Sequence, residues 1–407
     1  MSKTPLRITV LSTTLCVMGI ILTRTVAPVP HPIAPTYARL SPSLATSSRL
    51  AGASPSMVVP VINPQSFLLC LQQSDIIVAG TVRSVAGDQK VVQQIHGHHF
   101  QGHERQATLE LQTIYRGVGI ADKSITFHYF EPEEYMGYDQ LQAGAVRLYF
   151  LKTDREKRIT PSNPYCISFP VLEQRPELQD LTSPTEAVEV ELLHNLQQGS
   201  ERIIVESLKV LWKSQRVIEV CKTQLAHHES FAVRAAALAY RIRYQDKDAL
   251  DDAIATIKEV KNTHVLQANG TLQKQIIQTI SLAIPDMAAV IQPPQAKQLL
   301  HLRVPGMERE PGAEYTGIEG AIGEILRRFA VGEVKRQDTA KFAPVAIELL
   351  KSGENIDARY AAFQMLSNLR NLDGPSIFEF AGNIQRYVKE YSDWWVKEGN
   401  RKYGNHG

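Results

Sequence analysis

The chain has 407 residues, 43% of them hydrophobic and 21% charged, and its 44 Lys and Arg are nearly balanced by 42 Asp and Glu. That usage is ordinary for a globular protein of two or three domains. With almost no net field, nothing recommends nucleic acid or an anionic membrane surface as a partner.

Lys3 and Arg7 precede the apolar run Ile8 to Leu22, which is the grammar of an export signal. As a helix the run rises only ~22 Å, short of the ~30 Å hydrocarbon layer, so residues 1–27 read as a signal peptide or an N-terminal membrane anchor. Thr25-Val26-Ala27 offers small residues for cleavage, but Pro28 hinders the peptidase, which keeps the uncleaved anchor open. Residues 28–63 are rich in Pro, Ser and Ala and read as an extended linker. The expected location is therefore outside the cytoplasm, in the cell envelope or beyond it.

From Phe67 the pattern changes to short β-branched and aromatic runs. Strands are expected at Ile76–Val85, Ala107–Gly117, Ser124–Phe130 and Ala145–Lys152, with the alternation of Thr108, Glu110 and Gln112 against Leu109 and Leu111 giving one wet face. Short antiparallel strands in this number suggest a small closed OB-like β-barrel over residues 64–172. The ordered set Cys70, SDIIVAGTVRSV, LELQTIYRG, SITFHYF, LQAGAVRLYFLK and Cys166 resembles the netrin-like barrel of tissue inhibitors of metalloproteinases. That resemblance implies the fold. It does not carry the inhibition, because those inhibitors chelate zinc with a cysteine at a freed N-terminus, whereas Cys70 lies deep in this chain. Cys70 and Cys166 bracket the barrel, and a disulfide between them is expected in an oxidising compartment; the alternative leaves both as half-buried thiols. Cys221 has apolar neighbours and reads as a small buried hydrophobe.

One stretch inside the barrel carries metal-ligand chemistry: His96, His98, His99 and His103 in IHGHHFQGH. Imidazole suits Zn, Cu or Ni, and an i, i+2 pair on a strand places two rings on one face. The competing reading is a solvated loop, with Gly97 and Gly102 marking a flexible hairpin. Glu131, Glu133 and Glu134 also read as a solvated loop rather than catalytic carboxylates.

After Val171 the period becomes helical. Ser183, Pro184 and Glu186 supply an N-cap, a proline at the first helical position and a capping-box carboxylate. Further on, ESFAVRAAALAY returns 125 positions later as ENIDARYAAFQM. Self-similarity of this kind marks stacked helices, and residues 183–400 resemble HEAT-like repeats, an α-solenoid of about five helix pairs. The later pairs are expected as Asp248–Val260 with Leu272–Ala283, Ile318–Val331 with Thr339–Leu350, and Asp357–Leu369 with Ser376–Val396. Arg234 and Arg359 read as struts between repeats, and the stripe Ile377, Phe380, Ile384, Tyr387, Tyr391 and Trp395 as a sealing cap.

The G-x-S-x-G, H-E-x-x-H, P-loop and dinucleotide signatures do not occur. The expectation is a multidomain all-β plus all-α protein without enzymatic activity or cofactor, an exported interaction or scaffold protein that binds other proteins and touches the membrane only through an uncleaved N-terminal segment. A protease inhibitor acting through the barrel, or an enzyme of unrecognised type, is the alternative. The change of period near Pro170 to Pro184 further suggests two parts that fold separately.

Overall fold

Continuous apolar runs at Ile76–Ala79 and Leu148–Leu151 decide where the core sits, since a strand that is apolar on successive residues must be covered on both faces. In a computed structural model the described residues are 64–95, 98–117, 120, 122–133, 141, 144–163, 168–174, 176, 183–263, 270–304 and 317–404. The expected export segment and linker lie outside them. Among the described residues, no helix is long and apolar enough to cross a membrane.

Helix α1 (Pro64–Gln73) leads into β1 (Ile76–Ile95), β2 (His98–Arg116), β3 (Ser124–Pro132), β4 (Val146–Thr153), β5 (Ile159–Pro161) and β6 (Ser168–Pro170). The strands form one antiparallel sheet in the order β3-β2-β1-β4-β5, with β6 also paired to β4. Its edges β3 and β5 approach each other without a ladder between them, so the expected closed barrel is corrected to an open, curled sheet. The physical reason is strand length. β4 covers only Ile76 to Thr81 of β1, and β5 is a three-residue strand, too short to bridge the gap to β3.

The inner face of the curl buries Val78, Leu109, Phe127, Tyr149 and Leu151. Its outer face, at Ile77, Leu148 and Phe150, packs against α1 and the first helices of the C-terminal part, in one cluster that runs from Phe67 and Leu71 through Val188 and Leu192 to Tyr240. Phe67 is the pivot: its ring meets Phe150 edge-on at 5.0 Å and Phe169 at 5.4 Å. Polar ties reinforce the junction. The Tyr115 hydroxyl donates to the buried Glu191 carboxylate, and Asn195 Nδ2 donates to Pro170 O at 3.0 Å and to Ser207 Oγ at 3.1 Å. The two parts, expected from the sequence to fold separately, thus share one apolar cluster at their junction.

The remaining helices are α2 (Pro184–Gln198), α3 (Glu201–Val210), α4 (Gln215–Thr223), α5 (Phe231–Arg243), α6 (Ala249–Asn262), α7 (Gly270–Ala283), α8 (Pro293–His301), α9 (Ile318–Ala330), α10 (Ala343–Ser352), α11 (Ile356–Leu369), α12 (Ile377–Gly382) and α13 (Ile384–Trp394). The cap foreseen for α2 forms: Ser183 Oγ accepts Glu186 N–H at 3.2 Å, with Pro184 following. Two rows build the stack, α5-α7-α9-α11 in one and α6-α8-α10-α13 in the other. The two copies of the sequence repeat are α5 and α11, both in the first row and both capped alike, by Ser230 onto Val233 N–H and Asn355 onto Ala358 N–H. Three steps along the row span the 125 positions between them, close to the ~40–47 residues of a helix-pair repeat. Helix α8, opened by Pro293-Pro294, was not anticipated, and its presence shifts the later pairs to α8/α9 and α10/α11.

Candidate functional site

The β1–β2 hairpin runs past β4, and a cleft lies beside that overhang. Beyond Thr81, no strand among the described residues covers the second edge of β1. Gln101 of β2 turns its carbonyl to Glu133 N–H at 3.0 Å, so its cross-strand partner Val92 directs its own N–H and C=O away from β2, along the open edge. Val92 is 63% exposed. A Gly87 bulge at φ 82° sets the outer stretch Gln89–Ile95 apart from the inner one, its carbonyl held by Arg105 Nη1 at 2.8 Å.

Beside this edge lies a cleft of about 470 Å³ lined by Val91 and Gln93 of β1, Glu104 of β2, His128 and Phe130 of β3, and Arg158 before β5. Its charges answer one another. Arg158 Nε bonds Asp154 at 2.9 Å, and its guanidinium stands 3.8 Å from Glu104, as does His128 Nδ1. Hydrogen bonding to Asp154 holds the Arg158 guanidinium above its ordinary range. Burial, followed by the nearby Glu131, pushes the Tyr129 phenol up to about 12, so that hydroxyl stays protonated at neutral pH. A mixed, internally paired lining offers shape and hydrogen bonds rather than a strong field for one ion.

On the face that carries Ala107 and Phe127 inward lower down the sheet, the hairpin bears a charge cluster. Lys90 Nζ reaches Glu133 at 3.0 Å, Arg105 Nε reaches Glu131 at 2.8 Å, and Arg105 Nη1 lies 3.2 Å from Asp88. Bonding to Lys90 in the first place, and to His103, holds the Glu133 carboxyl below its usual range. His103 sits within, with Nε2 3.1 Å from Glu133 Oε1 and Nδ1 2.6 Å from Asp88 Oδ1. The second approach is short but lies outside hydrogen-bond geometry.

The expected histidine metal site falls partly outside the described residues. His103 is engaged by carboxylates, His99 is exposed on β2, nothing is described of the His98 side chain, and His96 lies outside the described residues. No group of three or more His, Cys, Asp or Glu suited to a metal ion occurs among the described residues. The supposed flexible excursion at Gly102 is an ordered ladder position, where a Cβ would lie 2.4 Å from Glu131 O and 2.6 Å from the Phe130 ring. Glu131 and Glu133 are likewise paired rather than solvated; Glu134 lies outside the described residues. Cys70 is buried in α1 at 1% exposure, where it is closed to a protease's metal. Cys166 lies outside the described residues, so its bridge to Cys70 stands as an expectation.

In the helical part, Arg234 Nη2 of α5 donates to Glu259 of α6 at 3.1 Å, reaching the next helix pair. Arg359 Nε donates to Leu350 O at 2.9 Å within the α10/α11 pair and does not tie two repeats together. Phe380, Tyr387 and Tyr391 of the terminal stripe pack around Phe363 at 5.0 to 5.1 Å. Comparison with protein-family models, with curated proteins and with solved structures returns no match.

Proposed function

We propose that this chain is an exported, non-catalytic interaction protein of the cell envelope, in which a HEAT-like helical array supports a sheet that recruits an extended polypeptide by strand addition. The open edge of β1 at Gln89–Ile95 carries the reading: Val92 presents its backbone N–H and C=O outward, beside a cleft able to take a side chain of the added strand. An uncharged edge sequence, VVQQI after Lys90, favours a partner strand that alternates apolar and neutral polar residues. Lys3, Arg7 and the Ile8–Leu22 run support export, and an uncleaved segment would add a membrane tether. The netrin-like likeness of the sheet region belongs with this proposal.

The test is specific to the edge. A photo-crosslinker at Gln94 of the full-length protein, expressed in its own cells, should trap a partner peptide. Val92→Pro removes one outward N–H and no β1–β2 bond, so it should abolish trapping without moving the unfolding midpoint. Trapping that survives the proline contradicts the proposal.

A further inference from the structure

The open edge of β1 also shows what kind of strand suits it. Val92 turns its backbone N–H and C=O away from β2, and the β1–β2 register runs without a shift from Gln89 to Ile95. Alternation along an antiparallel ladder therefore gives Lys90 and Gln94 the same outward backbone direction. Of these three positions only Lys90 is charged, and its Nζ is held by Glu133 at 3.0 Å. Val92 stands between the other two, 63% exposed, with no strand among the described residues beside it.

Such an edge fits itself. When two copies meet edge to edge and antiparallel about a two-fold axis, a register centred on Val92 pairs it with Val92 of the second copy, and each Lys90 with the other copy's Gln94. Every outward group of the three positions is then bonded, because each facing pair exchanges both of its N–H···O=C bonds. Other antiparallel registers do less. Centring on Lys90 sets two ammonium groups directly opposite, which is destabilising, and each of the rest leaves at least one of the three opposite no residue of the Gln89–Ile95 stretch. With Val92 at the centre, two exposed valine side chains cover one another on one face. On the other face Gln93 of the second copy comes opposite Val91, at the wall of the cleft. Its neutral amide brings donors and an acceptor to a lining in which Glu104 already faces Arg158 and His128.

We infer that the strand added to β1 is the same strand of a second copy, so that the chain forms a two-fold dimer with a sheet continuous through Val92. The inference rests on the strand-addition reading and names its partner. Because both edges are one and the same surface, pairing covers both, and assembly stops at two chains.

Cysteine crosslinking of the full-length protein in its own cells tests this. Facing residues of a hydrogen-bonded pair have Cα atoms about 5.5 Å apart, within disulfide reach. Mild oxidation of Val92→Cys should convert most chains to a reducible dimer and to nothing larger, above the background that the native cysteines give in the wild type. Gln94→Cys should stay monomeric, since the register sets its two copies roughly 14 Å apart along the strands. Adding Gln94→Pro to Val92→Cys removes one outward N–H from each copy and should cut the dimer about tenfold, the effect of two lost backbone bonds. A Val92→Cys chain that stays monomeric, or a Gln94→Cys chain that dimerises equally, overturns the inference. If a photo-crosslinker at Gln94 then still traps a different protein, and Val92→Pro abolishes that, strand addition stands without self-pairing; loss of both readouts removes the two together.

Discussion

The Glu319 carboxylate of α9 holds the start of α11, its Oε2 accepting the backbone N–H groups of Glu354 at 2.6 Å and Asn355 at 2.9 Å. Helix starts leave such donors unsatisfied, and an anion placed there also meets the positive end of the helix dipole. The side chain is fully buried. Arg303 Nε stands 3.5 Å from the other oxygen, an ion pair too long for a hydrogen bond. Glu319→Gln keeps the shape but loses the charge, and should cost about 1.5–3 kcal/mol, the worth of hydrogen bonds to a charged group. Urea unfolding of the full chain reads this as a lower midpoint with unchanged slope.

Close approach of the same two helices depends on a missing side chain. A Cβ on Gly323 would lie 2.6 Å from Ala358 Cα, and backbone cannot yield as a side-chain tip can. Gly323→Ala gains helix propensity, ~1 kcal/mol at most, but the helices must separate, at about 1–3 kcal/mol for overpacking. The net outcome should be a lower thermal midpoint, whereas a stabilised variant would show that α9 and α11 stand further apart.

Acid should destabilise the fold in part through Asp246. Burial alone pushes its carboxyl up, but bonds from Lys222 and Arg241, both at 2.7 Å, more than reverse this and hold it below the usual carboxylate range. With the folded value depressed, the unfolded chain takes up the proton first. The stabilisation is complete above the unfolded value of about 3.9 and is lost as pH falls through the folded one. Asp246→Asn should flatten this part of the acid limb. It should also lower stability at neutral pH by about 3 kcal/mol, because it strips a buried partner from Arg241, and titration of the urea midpoint from pH 7 to 3 measures both.

Much of the chain is legible before folding. The strands around Leu109, Phe127 and Leu148 follow from alternation and β-branching, and the repeat centred on Arg234 and Arg359 names two helices that occupy one row. The outer hairpin is not legible in the same way. Its residues are polar and glycine-bearing, so IHGHHFQGH reads as a loop, although Gly102 is there because Phe130 and Glu131 leave no room for a Cβ and His103 because two carboxylates converge on it. Those contacts join residues far apart in sequence. The shared core leaves a clearer trace: IIVA and LYFL are apolar on both strand faces, which requires a second layer. Helix α8 escapes notice because Pro293-Pro294 suggests a break, when prolines in a first turn are compatible with a helix.

The central claim is that the sheet and the first helices are one cooperative body around Phe67. Hydrogen exchange of the full chain in increasing urea tests this most directly, because it follows β1, β4 and α2–α5 separately in one experiment. The account predicts that all of them lose protection at one midpoint, and that Phe67→Ala, costing about 3–5 kcal/mol, moves them together. Strands and helices melting at different urea concentrations, with Phe67→Ala shifting only one set, would contradict it.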